Sequence, residues 1–162
     1  MKLNVPTVAL FFGILASAIL STSCSTVPSG PVAITKVNPY HLKRGERVKT
    51  EDPMIKFEQL RHFHGAVDGK AMSERWGHYF SINWKTDQKQ SPHTVRLEYR
   101  QAETGPIVHL QDQQVTSPKS KNVTKFEVVD DEYASKGVVT QWKATILRDG
   151  AAVAEYKSFL WK

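Results

Sequence analysis

The sequence predicts an all-β protein, a single antiparallel β-sandwich of about seven strands, and three observations predict it. Short runs of alternating apolar and polar residues recur from residue 54 onward, separated by turn signals roughly every 8–12 residues. No stretch sustains a long 3.6-residue apolar period. The chain closes on two runs rich in β-branched and aromatic residues that flank Arg148-Asp149-Gly150, the signature of a hairpin.

The 162 residues suffice for one domain plus extras, and 40% hydrophobic with 23% charged residues is an ordinary globular balance. The first segment reads as an address. Lys2 supplies a positive start, and Val8 to Leu20 is an apolar run that suits a signal peptide and falls short of a membrane span. Ser21-Thr22-Ser23 and then Cys24 follow. This resembles the lipobox of bacterial lipoproteins: Thr22 and Ser23 fit, and Ser21 stands where that family prefers Leu. The resemblance implies a signal peptide over 1–23 and lipid on Cys24. It also implies localisation to the bacterial cell envelope, with Ser25 pointing to the outer membrane and its periplasmic side. Two other readings stay open, cleavage after Ala16-Ser17-Ala18 to give a secreted protein, or an uncut anchor. Cys24 is the only cysteine, so no intramolecular disulfide forms.

Residues 24–53 have the composition of a linker, with Pro28, Pro31, Pro39 and Pro53 among Ser, Gly and charged residues. A short strand at Val32-Ala33-Ile34 fits inside it. Lys36, Lys43, Arg44, Arg47 and Lys49 make the linker basic, but Glu46, Glu51 and Asp52 interrupt them, so a solvated spacer competes with a lipid-contacting segment. The net charge of +6 is spread along the chain without a run of five or six like charges, which fits an acidic partner or a membrane surface and equally plain solubility, and no nucleic-acid partner is expected.

The domain is expected over 54–162. Ile55, Phe57, Gln59, Arg61 and Phe63 alternate with Lys56, Glu58, Leu60, His62 and His64 as a first strand. A loop runs from Gly65 to about Trp76, with one helical turn at Ala71 to Arg75. His78 to Lys85 turns Phe80, Ile82 and Trp84 inward, and His93 to Arg100 turns Val95, Leu97 and Tyr99 inward. Ile107 to Leu110 is a short strand, Asn122 to Val129 a longer one, and Asp130-Asp131-Glu132 a charged loop. In the hairpin, a three-residue loop with Gly150 in the left-handed position sets Trp142 opposite Tyr156, Ala144 opposite Ala154, Ile146 opposite Ala152 and Val138 opposite Leu160. Lys143 then pairs with Glu155 across the strands.

The early inward Trp84 and the ending in Tyr133 and a hairpin resemble immunoglobulin-like and fibronectin-III-like domains, over about residues 54–162. The resemblance implies a fold and no site, since such sandwiches carry unrelated functions.

Chemistry is sparse. His62 and His64 would lie on one strand face about 7 Å apart and could begin a metal site, although a site needs further ligands. There is no G-x-S-x-G, H-E-x-x-H, EF-hand or phosphate-binding glycine loop. Val139, Phe159 and Trp161 would line the outer face of the hairpin, and Trp76 and Tyr79 are further aromatic candidates for a binding patch. The expectation is a non-enzymatic envelope lipoprotein, without cofactor, whose immunoglobulin-like domain binds another envelope protein or a cell-wall component. A carbohydrate-binding module and a histidine-based metal-binding protein are the alternatives.

Overall fold

Two antiparallel sheets pack face to face in the computed structural model, which describes residues 30–45 and 50–162. The expected signal peptide over 1–23 and Cys24 lie outside the described residues. The strands are β1 (Val32–Leu42), β2 (Gly77–Thr86), β3 (His93–Gln101), β4 (His109–Val115), β5 (Lys121–Val129), β6 (Val139–Arg148) and β7 (Ala151–Lys157). One sheet has the order β1-β2-β5 and the other β4-β3-β6-β7. The constant-type immunoglobulin arrangement sets its fourth strand in the sheet that holds the fifth; here β4 pairs with β3 instead. Three short helices, α1 (Pro53–His62), α2 (Gly69–Ser73) and α3 (Asp130–Lys136), sit in the connections.

The core is where period two puts it. Phe80, Ile82 and Trp84 from β2, Phe126 and Val128 from β5, Val95, Leu97 and Tyr99 from β3, and Ala144 and Ile146 from β6 meet between the sheets. The Trp84 Nε1–H donates to Thr124 Oγ1 at 3.0 Å, so the largest core side chain carries no unpaired polar atom.

Several elements differ from the sequence reading. The sandwich begins at Val32, not at residue 54: β1 is eleven residues long, pairs with β2 along its length apart from an irregularity at Thr35, and buries Val32, Ile34 and Val37 in the core. Its Pro39 suggests a linker, but β1 is an edge strand, where a missing N–H costs no ladder bond. The alternating stretch 54–63 is helical. Asp52 accepts the Met54 N–H at 2.8 Å and Pro53 opens the first turn, so local capping outweighs an alternation with no sheet to pair with. Asp68 caps α2 in the same way, through the Ala71 N–H at 2.7 Å.

The strand expected at Ile107 to Leu110 starts later and runs to Val115, because pairing with β3 rather than apolarity selects it. Asp130, Asp131 and Glu132 form the first turn of α3, where acidic side chains complement the helix dipole. Tyr133 makes no tyrosine corner: its hydroxyl meets His41 Nε2 at 2.8 Å instead of a backbone group.

The hairpin register also departs. Arg148 pairs with Ala151, and both Asp149 (φ 51) and Gly150 (φ 79) are left-handed, which makes a two-residue type I′ turn. A bulge at Val153 then shifts the ladder, so Ala144 lies opposite Tyr156, Ile146 opposite Ala154, and Lys143 opposite Lys157. Lys143 pairs with Glu98 on β3 at 2.7 Å, not with Glu155. The strand stops at Lys157, so Val138 has no strand partner at Leu160.

Candidate functional site

The β1–β2 connection, residues 43–76, gathers most of the surface features. Tyr40 and Tyr79 are cross-strand partners on the outer face of the β1-β2-β5 sheet. The His62 ring sits on both, 4.9 Å from Tyr40 and 3.9 Å from Tyr79, and so pins the C-terminal end of α1 to that face. Burial holds His62 below the ordinary histidine range, against the opposing pull of Glu58. Its Nε2 lies 3.5 Å from Glu58 Oε1, an ion-pair distance without hydrogen-bond geometry. The Tyr79 hydroxyl donates to the Arg75 carbonyl at 2.6 Å, and burial with nearby Glu127 pushes its pKa up to about 12. Between α1 and the sheet is a hollow of about 220 Å³ bordered by Arg61, His62, Tyr79, Lys125 and Glu127.

The helix therefore turns Glu58, Gln59 and His62 toward the protein. Met54, Phe57 and Leu60 point away from it, at 70%, 57% and 66% exposure. Neither α1 nor α2 contains a buried residue, and Val67 and Met72 add further exposed apolar surface.

A second concavity, an open cleft of about 590 Å³, lies at the same end of the sandwich between Arg44, Trp76, Asp130, Asp131, Tyr133 and Val138. Gly77 positions Trp76 on its rim. At φ +147 the backbone comes so close to β5 that a Cβ would sit 2.2 Å from the Val128 carbonyl oxygen. Behind the cleft wall His41 meets the Tyr133 hydroxyl through Nε2 and stacks its ring on that of His78 at 3.9 Å. The Val139 N–H donates to His78 Nε2 at 3.1 Å, so that nitrogen is unprotonated and the ring proton sits on Nδ1. Chemically the cleft offers an indole, a phenol, two carboxylates and a guanidinium, a set suited to holding a polar ligand against aromatic faces.

The sequence-predicted residues scatter. Trp76 lies on the cleft and packs edge-on against Phe63 at 5.0 Å. Tyr79 lies under α1. Val139 is half-buried against the core. Phe159 is 99% exposed, and Trp161 is only 9% exposed beneath Arg100 and Lys143, 4.7 and 5.4 Å from its ring centroid. Because β7 ends at Lys157, Val139, Phe159 and Trp161 form no common patch. His62 and His64 belong to the end of α1 and the turn after it, not to a strand. Among the described residues no three histidine, cysteine or acidic side chains converge as metal ligands, and no helix is long and apolar enough to cross a membrane.

Sequence reasoning missed Met54 and Leu60 as surface features and Arg44 and Tyr133 as cleft residues. The Asp52-Pro53 pair was the available signal for the helix that exposes the first two. No family model matches the chain, and no curated protein or solved structure matches it.

Proposed function

We propose that this protein is a non-enzymatic binding module of the bacterial cell envelope. A lipid on Cys24 tethers it, and the helical insert 50–76 is its contact surface. One observation carries the contact reading: α1 and α2 add nothing to the core, yet they hold Met54, Phe57, Leu60 and Met72 exposed. Apolar side chains that a fold neither buries nor needs mark an interaction surface. The tether reading rests on the Ser21-Thr22-Ser23-Cys24 sequence after an apolar run.

The test is the intact mass and fractionation of the full chain made in a bacterial host, beside Cys24→Ala. A lipidated chain starting at Cys24 in the membrane fraction, lost in the variant, supports the tether; an unlipidated soluble chain removes it. A photo-crosslinking residue at Phe57 should give envelope products that the same residue at Glu155 does not. Equal yields at the two positions would remove the contact surface.

A second reading, a carbohydrate- or cell-wall-binding module, is favoured by the cleft, where Trp76 and Tyr133 stand beside Asp130, Asp131 and Arg44. Sedimentation with purified cell wall should then fall in Trp76→Ala; unchanged sedimentation excludes the cleft.

A further inference from the structure

The outer face of the β1-β2-β5 sheet carries a charge pattern that the fold itself does not use. Lys36, Lys85, Lys121 and Lys125 project from this face, with Glu127 the one acid in the same rows. Lys85 and Lys121 are direct cross-strand partners, an arrangement that costs stability because like charges face each other. None of the four lysines has an ion-pair partner among the described residues. The other sheet contrasts: on its outer face Arg96 pairs with Asp112 at 2.7 Å, Lys143 with Glu98 at 2.7 Å, and Trp161 lies under two cations.

The apolar ridge of α1 looks out from the same lysine-bearing side. His62 fastens the polar side of the helix to Tyr40 and Tyr79 on this sheet, so the opposite side faces away from it. At 100° per residue, Leu60, Phe57 and Met54 span an outward arc of about 120°, with Arg61 the charged residue on that arc and Lys56 and Glu58 each about 40° beyond one of its ends. An apolar ridge in a field of unpaired lysines complements an anionic lipid surface, into which side chains insert while the ammonium groups meet phosphates.

We propose that this face docks on the anionic surface of a bilayer through Met54, Phe57 and Leu60, with Lys85 and Lys121 as its main phosphate contacts. The inference rests on the envelope reading above and names the partner of the contact surface. The sandwich then lies on its β1-β2-β5 side, with the 590 Å³ cleft at one end and the β4-β3-β6-β7 sheet facing outward. The tether allows this pose. Eight residue steps from Cys24 to Val32 reach at most about 29 Å, comparable with the roughly 26 Å of strand between Val32 and Tyr40.

The test uses the full lipidated chain on vesicles of phosphatidylethanolamine and phosphatidylglycerol with brominated acyl chains. Phe57→Trp adds an indole at an exposed site, and the unsubstituted chain corrects for the four native tryptophans. The added indole should be blue-shifted and quenched by the bromines. Lys85→Gln with Lys121→Gln should lower the docked population roughly fivefold per lysine, and high salt should lower it as well. A vesicle-bound chain whose added indole is not quenched overturns the docking and leaves the tether standing. A chain that vesicles do not retain overturns both. A blue shift that grows with protein concentration without vesicles assigns the face to a second copy and overturns the lipid assignment. Leu60→Trp repeats the measurement at an independent position.

Discussion

Acidification should destabilise this protein through His78. The His78 Nε2 accepts the Val139 N–H at 3.1 Å, a bond from β6 of one sheet to β2 of the other. A proton on that nitrogen would set donor against donor. The ring is 8% exposed and stacked on His41 at 3.9 Å, so a charge there would be desolvated and placed beside a second imidazole. Burial first, and His41 second, push the pKa down to about 3 from 6.5. Unfolded, the imidazole titrates near 6.5, so between that value and about 3 the unfolded chain binds more protons and stability falls as pH falls. One such site has a limiting slope of about 1.4 kcal/mol per pH unit, which amounts to ~2 kcal/mol between about pH 7.5 and about pH 5. Urea melts across this range measure it, for the natural chain and for His78→Gln. The glutamine amide oxygen still accepts from Val139 but takes no proton. It loses the ring stacking, so the variant should start lower by about 1–2 kcal/mol and then lose ~2 kcal/mol less on acidification. Parallel stability curves for the two proteins would refute the assignment of this titration to His78.

Gly77→Ala should cost about 3 kcal/mol or more, since φ +147 and a Cβ 2.2 Å from the Val128 oxygen strain both β2 and its partner; a melting temperature within a degree or so of the parent would contradict that packing. Trp84→Phe removes the donor to Thr124 inside the core and should cost about 1–3 kcal/mol in denaturant melts, more than Trp84 packing volume alone explains if a double variant with Thr124→Val recovers part of the loss. Asp149→Val puts a β-branched residue at φ 51 in the type I′ turn and should destabilise by roughly 1–2 kcal/mol, whereas Asp149→Gly should not; equal stability of the two would argue against the two-residue turn. Phe57→Ser should leave stability within about 0.5 kcal/mol, because its side chain contributes nothing to the core, and a larger loss would show that the ridge is covered.

The parts of the fold legible in the sequence are those that period two encodes. Phe80, Ile82 and Trp84, then Val95, Leu97 and Tyr99, then Phe126 and Val128 alternate with polar residues, and each set is buried as the alternation requires. Stretches without a buried face carry no such signal. Ile55 and Phe57 alternate with charges by coincidence, and the Asp52 cap with Pro53 is the signal that mattered. The basic, proline-containing composition around β1 hid a strand whose edge position tolerates Pro39. In the hairpin, Gly150 is left-handed as its position after Arg148-Asp149 requires, but Asp149 is left-handed too, and the bulge at Val153 shifts the ladder.

The candidate surfaces were less legible than the fold, and the reason is geometric. Trp76 and Tyr79 stand out as aromatic residues, but their separate roles, one on a cleft rim and one beneath a helix, depend on how the segment 50–76 folds back over the sheet. His41, His78 and Tyr133 are 37 to 92 residues apart in sequence and meet only because β1 pairs with β2 and α3 closes the end of the sandwich. By itself the sequence determined the β-sandwich class and the inward residues of β2, β3 and β5, because alternation is a local property that burial reads directly. Only the tertiary structure decided that α1 presents its apolar side outward on the same face as lysines from β1, β2 and β5 that have no ion-pair partner among the described residues, because cross-strand register and helix docking are set by contacts between distant residues.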